Sequence, residues 1–195
     1  MDIDLLVQYL SQFLLPFFRI AAFFTAVPIF GNQLVPMRIR LMLAFVAAIA
    51  VAPNLSAVVL PLAFSVNLFI QIFIQLLIGF LLGFFVQVFF HIFVLAGQMI
   101  AMQMGLGFAS MVDPTNGVSV AVVSQFYVIL VTLLFLAMNG HLVALEVMIE
   151  SFRQWPIGGE VPVSSVFYSV AQSGVWMFSS ALLLALPAVL SLIHI

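Results

Sequence analysis

Few residues of this chain are of a type and spacing that could do chemistry. Gly107-Phe108-Ala109-Ser110 is shaped like a glycine-serine nucleophile turn, and His141 is a candidate base for an intramembrane serine protease. Acyl transfer also needs donors for the oxyanion, and the sequence supplies no convincing set. Gly105-Leu106-Gly107 has the start of a dinucleotide turn but neither the third glycine nor the preceding strand. A phosphate loop needs its lysine, and the four basic residues are all arginines: Arg19, Arg38, Arg40 and Arg153. His91, His141 and His194 are too scattered for a metal centre, and zero cysteines leave no thiolate site or disulfide. The sequence therefore predicts a protein that is not an enzyme and carries no cofactor or metal.

The elements that surround these residues belong to a membrane. Of 195 residues 66% are hydrophobic and only 5% charged, with a mean hydropathy of +1.38, against about 25% charged in a soluble domain. Between Arg40 and Asp113 lie 72 residues without Asp, Glu, Lys or Arg, and one crossing of the hydrocarbon core takes about 20. The reading is an all-α integral membrane protein, a single membrane domain over 1–195. The N-terminus opens with Asp2 and Asp4 instead of a basic region, which argues against a cleavable signal peptide.

One stretch does not behave as a membrane helix. Within QMIAMQMGLGFASMVDPTNG, residues 98–117, Gly105, Gly107 and then Asp113-Pro114-Thr115-Asn116-Gly117 force the backbone out of the helix between Met104 and Val118. Its filling is apolar: Leu106, Phe108, Met111 and Val112. Irregular backbone too apolar for water is tolerated at membrane depth only where protein buries it or it lines a cavity. This predicts a plug or constriction closed by deformable side chains, to which Met99, Met102 and Met104 are weaker candidates. The plainer reading of Asp113 to Gly117 is a turn between helices, with Ser119 capping the next one.

Along the chain, a helix is expected from Asp4 to about Ala26 and a second from about Met37 to Ala52, bounded by Pro36 and Pro53. Arg19, inside the first, is costly at a helix centre and is expected either to snorkel or to pair with a carboxylate of another subunit. Arg38 and Arg40 oppose the macrodipole of the second helix, and the rule that basic loops stay cytoplasmic explains them better. Residues 67–104 form a helical stretch nearly twice the hydrocarbon thickness. It either breaks into a hairpin near Gly79 and Gly83 or lies partly outside the bilayer. On it Gln71, Gln75, Gly79, Gly83, Gln87 and His91 share an i, i+4 row, where small and amide residues admit a close neighbouring helix, of this chain or another. Ser119 to Ala144 reads as a helix interrupted at Asn139-Gly140-His141. Glu146, Glu150 and Arg153 mark an amphipathic end with a local ion pair, Trp155 suits a membrane interface, and a last helix runs from Ser164 or Ser165 through Trp176 toward Pro187 and stops at Ile195.

The ordered set of motifs resembles the FliR family, the flagellar export-gate subunit, and its counterpart in virulence injectisomes. The residues that carry the likeness are Pro28 with Gly31, Val35-Pro36 followed by Arg38 and Arg40, Pro53, Gly97-Gln98, Gln103-Met104-Gly105, Asp113-Pro114, Asn139-Gly140-His141 and Pro156-Ile157-Gly158. The resemblance implies long helices and helical hairpins in a multi-subunit helical gate of the bacterial inner membrane and flagellar basal body. There one copy closes an assembly of FliP-like and FliQ-like subunits, served by FlhB-like and FlhA-like proteins. It also implies a plug loop at Leu106–Gly117, subunit packing along the Gln71–His91 row, and passage of unfolded flagellar proteins. The closing Leu192-Ile193-His194-Ile195 does not resemble the family's continuation, which implies a shortened C-terminus. A virulence secretion subunit is the alternative on the same physics. A small-solute transporter would need inverted repeats and intramembrane charges that are not found.

Overall fold

The computed structural model describes residues 3–31, 35–55, 66–107, 110–112, 119–159 and 161–194. The helices are α1 (Ile3–Ala26), α2 (Met37–Val51, prolonged by a 3-10 turn at Ala52–Asn54), α3 (Val66–Gln103), α4 (Val122–Ala137), α5 (Gly140–Gln154) and α6 (Val163–His194). Two short strands, β1 (Ser110–Val112) and β2 (Ser119–Ala121), lie between α3 and α4. The chain is an all-α integral membrane protein: α3 and α6 are each long and apolar enough to cross a bilayer by length and composition. The described chain forms two compact units, Met1–Gly31 with Val35–Phe84 and Leu142–Val161, and Asn32–Leu34 with Phe85–His141 and Pro162–Ile195.

In the first unit, α1 buries Leu15 and Pro16 and then every residue from Arg19 to Phe24, so the helix is covered on all sides over that stretch. Helix α2 buries only Ala44, Ala48 and Val51, at i, i+4 and i+7, while Met42, Phe45, Val46 and Ile49 are exposed. Its N-cap is Pro36, with no side-chain cap, and Arg40 turns back so that Nε and a terminal nitrogen donate to the Val35 carbonyl at 3.0 and 2.8 Å. Thus Arg40 stabilises the entry to the helix whose dipole it opposes.

Of the two alternatives for 67–104, the hairpin does not form: α3 is one helix of 38 residues, about 57 Å at 1.5 Å per residue. Two glycines cost about 1 kcal/mol each in a helix, too little to break a backbone whose freed amides would meet no water in lipid. They serve contact instead. A Cβ at Gly79 would overlap the Arg19 carbonyl oxygen, and one at Gly83 would meet the Ala26 Cβ at 2.5 Å and the Phe23 carbonyl oxygen at 3.0 Å. The bare glycine backbone lets α1 and α3 touch main chain to main chain.

In the second unit, Ile92, Ala96 and Ile100 of α3 pack on Ala181 and Ala185 of α6, again at i, i+4 spacing on both helices. Gly97 lies against α4, where an added Cβ would come 2.5 Å from the Ser124 Cα, and Ser124 Oγ donates to the Val94 carbonyl at 3.0 Å. Rings of Phe89 and Phe90 meet Phe135 at 6.2 and 5.4 Å. Helix α4 stops at Ala137, Asn139 takes a φ of 58°, and α5 begins at Gly140, whose α carbon faces the Phe135 ring too closely for a Cβ. Asn139-Gly140 therefore combines the left-handed residue and the close approach that end one helix and start the next. One expectation shifts. Ser119 starts β2 and does not cap α4, whose N-cap is Ala121 without a side-chain bond. Helix α6 runs through Pro187 to His194.

Candidate functional site

Two constellations gather the residues that sequence reading singled out: the exit from α3 into the irregular segment, and the amide row earlier on α3.

The exit is built by the chain itself. Gly105 has φ 72°, the Gly105 N–H donates to the Met102 carbonyl at 3.2 Å and the Leu106 N–H to the Ala101 carbonyl at 2.9 Å. These are the paired bonds of a Schellman motif, with glycine in the left-handed position after the helix cap. Gln103-Met104-Gly105 thereby ends a span that apolarity alone would prolong. Beyond it the chain forms an antiparallel ladder in which Ser110 faces Ala121, Met111 faces Val120 and Val112 faces Ser119. This hairpin was not foreseen, although Ser-Met-Val and Ser-Val-Ala are short, and valine suits a ladder. Of the plug residues, Leu106 is exposed, and Met111 and Val112 lie in β1. Phe108, Asp113, Pro114, Asn116 and Gly117 lie outside the described residues. Alongside the exit, Gln98, Met99, Met102 and Gln103 of α3 and Leu182, Ala185, Leu186 and Val189 of α6 line an apolar groove of about 400 Å3 with Leu95 at its edge. Met102 and Met104 are exposed, so flexible thioethers border the start of the irregular segment. Ser110 belongs to the ladder, and His141 to the first turn of α5, where its Nδ1 has no hydrogen-bond partner.

The amide row is where Arg19 is held. Its exposure is 0% and that of Gln75 is 1%. Arg19 Nε donates to Gln75 Oε1 at 2.7 Å, Nη1 to the Ser151 carbonyl at 3.0 Å and to Ser151 Oγ at 3.2 Å, and Nη2 to the Trp155 carbonyl at 2.8 Å. The guanidinium also stacks 4.2 Å from the centre of the Phe152 ring. Both expectations for Arg19 are therefore replaced, since a side chain with no exposed surface neither snorkels nor reaches a carboxylate of another subunit. Its counter-charge is the negative end of a helix. Ser151 and Trp155 offer carbonyls at the C-terminus of α5, where the macrodipole and unpaired oxygens favour a cation. The planar fork of arginine suits such a divided task; a lysine ammonium does not.

Gln71 Oε1 accepts from the Gly158 N–H at 3.3 Å, and Gly158 has φ 82°. The turn Trp155-Pro156-Ile157-Gly158 is thus tied to α3 at two points, through Gln71 directly and through Gln75 and Arg19. Gln71, Gln75, Gly79 and Gly83 all serve packing inside the first unit. His91 differs: its Nδ1 lies 2.9 Å from the Gln87 carbonyl, one turn back on the same helix, so the lower row does not cross to a neighbour through that pair. The expected local ion pair forms between Arg153 and Glu150 at 3.3 Å, exposed and worth a few tenths of a kcal/mol. Among the described residues no group of His, Cys, Asp or Glu could hold a metal.

Comparison with known proteins matches residues 10–195 to the family described as bacterial export proteins, family 1. The chain is 35% identical over 183 residues to the flagellar biosynthetic protein FliR of Escherichia coli, covering 94% of this chain and 70% of that protein. It is 37% identical over 190 residues to FliR of Pectobacterium carotovorum, covering 97% and 72%. At greater distance, FliR of Bacillus subtilis is 29% identical over 192 residues, covering 96% and 73%. With likeness along nearly its whole length, the chain belongs to the bacterial export proteins, family 1.

Proposed function

We propose that this chain lines and plugs the gate through which unfolded flagellar proteins leave the cytoplasm. Its coarser role follows from the family: it is a membrane component of flagellar protein export and not an enzyme. The finer reading places it in the inner membrane among FliP-like and FliQ-like subunits, with FlhB-like and FlhA-like export proteins beside them. Residues 1–195 are a single membrane domain on this reading.

The observation that carries the plug is the way α3 ends. A 38-residue apolar helix is stopped by a glycine cap, and the apolar sequence that follows carries the Ser110–Val112 and Ser119–Ala121 ladder. Such a segment needs other protein around it at membrane depth, and its methionine and phenylalanine content lets it yield to a passing chain. The flagellar reading is favoured over virulence secretion because the relatives bear flagellar names.

Removal of residues 108–117 tests the plug. The expected result is an inner membrane leaky to small ions while the assembled complex is still recovered from cells. Unchanged conductance with intact assembly counts against it.

A further inference from the structure

We propose that α2 carries a binding site for an anionic phospholipid, with Arg38 at the headgroup and the stripe Met42, Phe45 and Ile49 along one acyl chain. The four residues stand at i, i+4, i+7 and i+11, so they share one face of the helix. That face is turned about 120° around α2 from the buried Ala44, Ala48 and Val51, and Arg38, Met42, Phe45 and Ile49 are all exposed, Met42 by 71%. Phe45 extends the stripe sideways onto α1, where its ring meets Phe13 at 5.1 Å and Phe17 at 6.3 Å.

Two observations select a lipid as the occupant. The first is length. Arg38 to Ile49 spans about 16 Å at 1.5 Å per residue, and half of a hydrocarbon core of about 30 Å is about 15 Å. A face with a cation at one end and apolar side chains for the depth of one leaflet has the dimensions of a lipid. The second is charge. No acidic residue occurs between Asp4 and Asp113, and among the described residues the ion pair found is Arg153 with Glu150. Arg40 is drawn aside onto the Val35 carbonyl, which leaves Arg38 as the side chain presented outward. A phosphodiester anion complements it, and a basic side chain at an anionic membrane surface contributes on the order of 1 kcal/mol, or about fivefold in association.

The test reconstitutes the full chain, with Met42→Trp as reporter, into phosphatidylcholine vesicles that contain brominated-acyl phosphatidylglycerol or brominated-acyl phosphatidylcholine in equal amounts. Emission of Trp155 and Trp176 is subtracted with the parent chain. The expected result is stronger quenching by the brominated phosphatidylglycerol, equivalent to about fivefold preferential association. Arg38→Gln should abolish that preference, and Arg153→Gln should keep it. Equal quenching by both lipids, or a preference that survives Arg38→Gln, overturns the site. Absence of quenching by either lipid also overturns it, because the stripe is then covered by protein. None of these outcomes bears on the plug.

Discussion

Arg19→Met lowers the stability of the purified protein by about 2–4 kcal/mol, the cost of leaving buried acceptors without their charged donor. Methionine keeps the apolar stem but not the guanidinium, so the loss combines the unpaired acceptors with the space that the buried fork had filled. Gln75 Oε1 and the Trp155 carbonyl lose the donors that they have at 2.7 and 2.8 Å. The Ser151 carbonyl keeps the Trp155 N–H at 2.9 Å and suffers less. Neutral bonds between membrane helices average about 0.6 kcal/mol, and the larger expectation rests on the charge and on the helix end that it neutralises. Reversible unfolding in mixed micelles measures the effect, and Trp155 emission should shift red as the end of α5 loosens. Removing both members of one bond is milder than removing one, so Arg19→Met with Gln75→Leu should cost less than the sum of the single changes. Strict additivity would show that the 2.7 Å bond does not contribute.

Gly79→Ala and Gly174→Ala, the same chemical change on two apolar helices, should move stability in opposite directions. Alanine is favoured over glycine in a helix by about 1 kcal/mol. At Gly174 a Cβ meets nothing within 4 Å, and that gain should be seen whole. At Gly79 it meets the carbonyl oxygen of Arg19, main chain that cannot turn away, and the Ala22 Cβ at 3.0 Å. Helix α1 must then move off α3, which costs about 1–3 kcal/mol for overpacking and strains the bond from Arg19 to Gln75. The expected net is destabilisation at Gly79 and stabilisation at Gly174, read from the same unfolding curves. A stabilised Gly79→Ala would mean that α1 and α3 are not in backbone contact.

These two tests fall on features that the sequence disclosed unequally. The row of Gln71, Gln75, Gly79 and Gly83 was visible because amide and small residues at i, i+4 spacing are rare on an apolar helix and have a physical use there. The helix bounds near Ala26 and Met37 were legible from Pro28 and Pro36, since proline and glycine act locally. Arg19 was visible as a problem but not as a solution. Gln75, one of its acceptors, stood on the visible row, but two others are main-chain carbonyls 132 and 136 positions away, and every residue type carries a carbonyl, so no side-chain pattern marks those. The same local logic left Gly79 and Gly83 undecided between a break and a close contact, and the structure has the contact that glycine allows. The hairpin of Ser110–Val112 and Ser119–Ala121 escaped notice because three residues are too few for an alternation to stand out against an apolar background.

The central claim is that the irregular segment after α3 is sheltered within an export conduit. The chain has no cysteine, so Met111→Cys gives a single label site, and Arg153→Cys, at an exposed side chain, gives the open reference. The measurement is the rate of modification by a membrane-impermeant maleimide in the resting, assembled complex, with access from both faces of the membrane. The account predicts that Cys at position 111 reacts far more slowly than Cys at position 153 and speeds up while a substrate is in transit. Equal rates in the resting complex would contradict it.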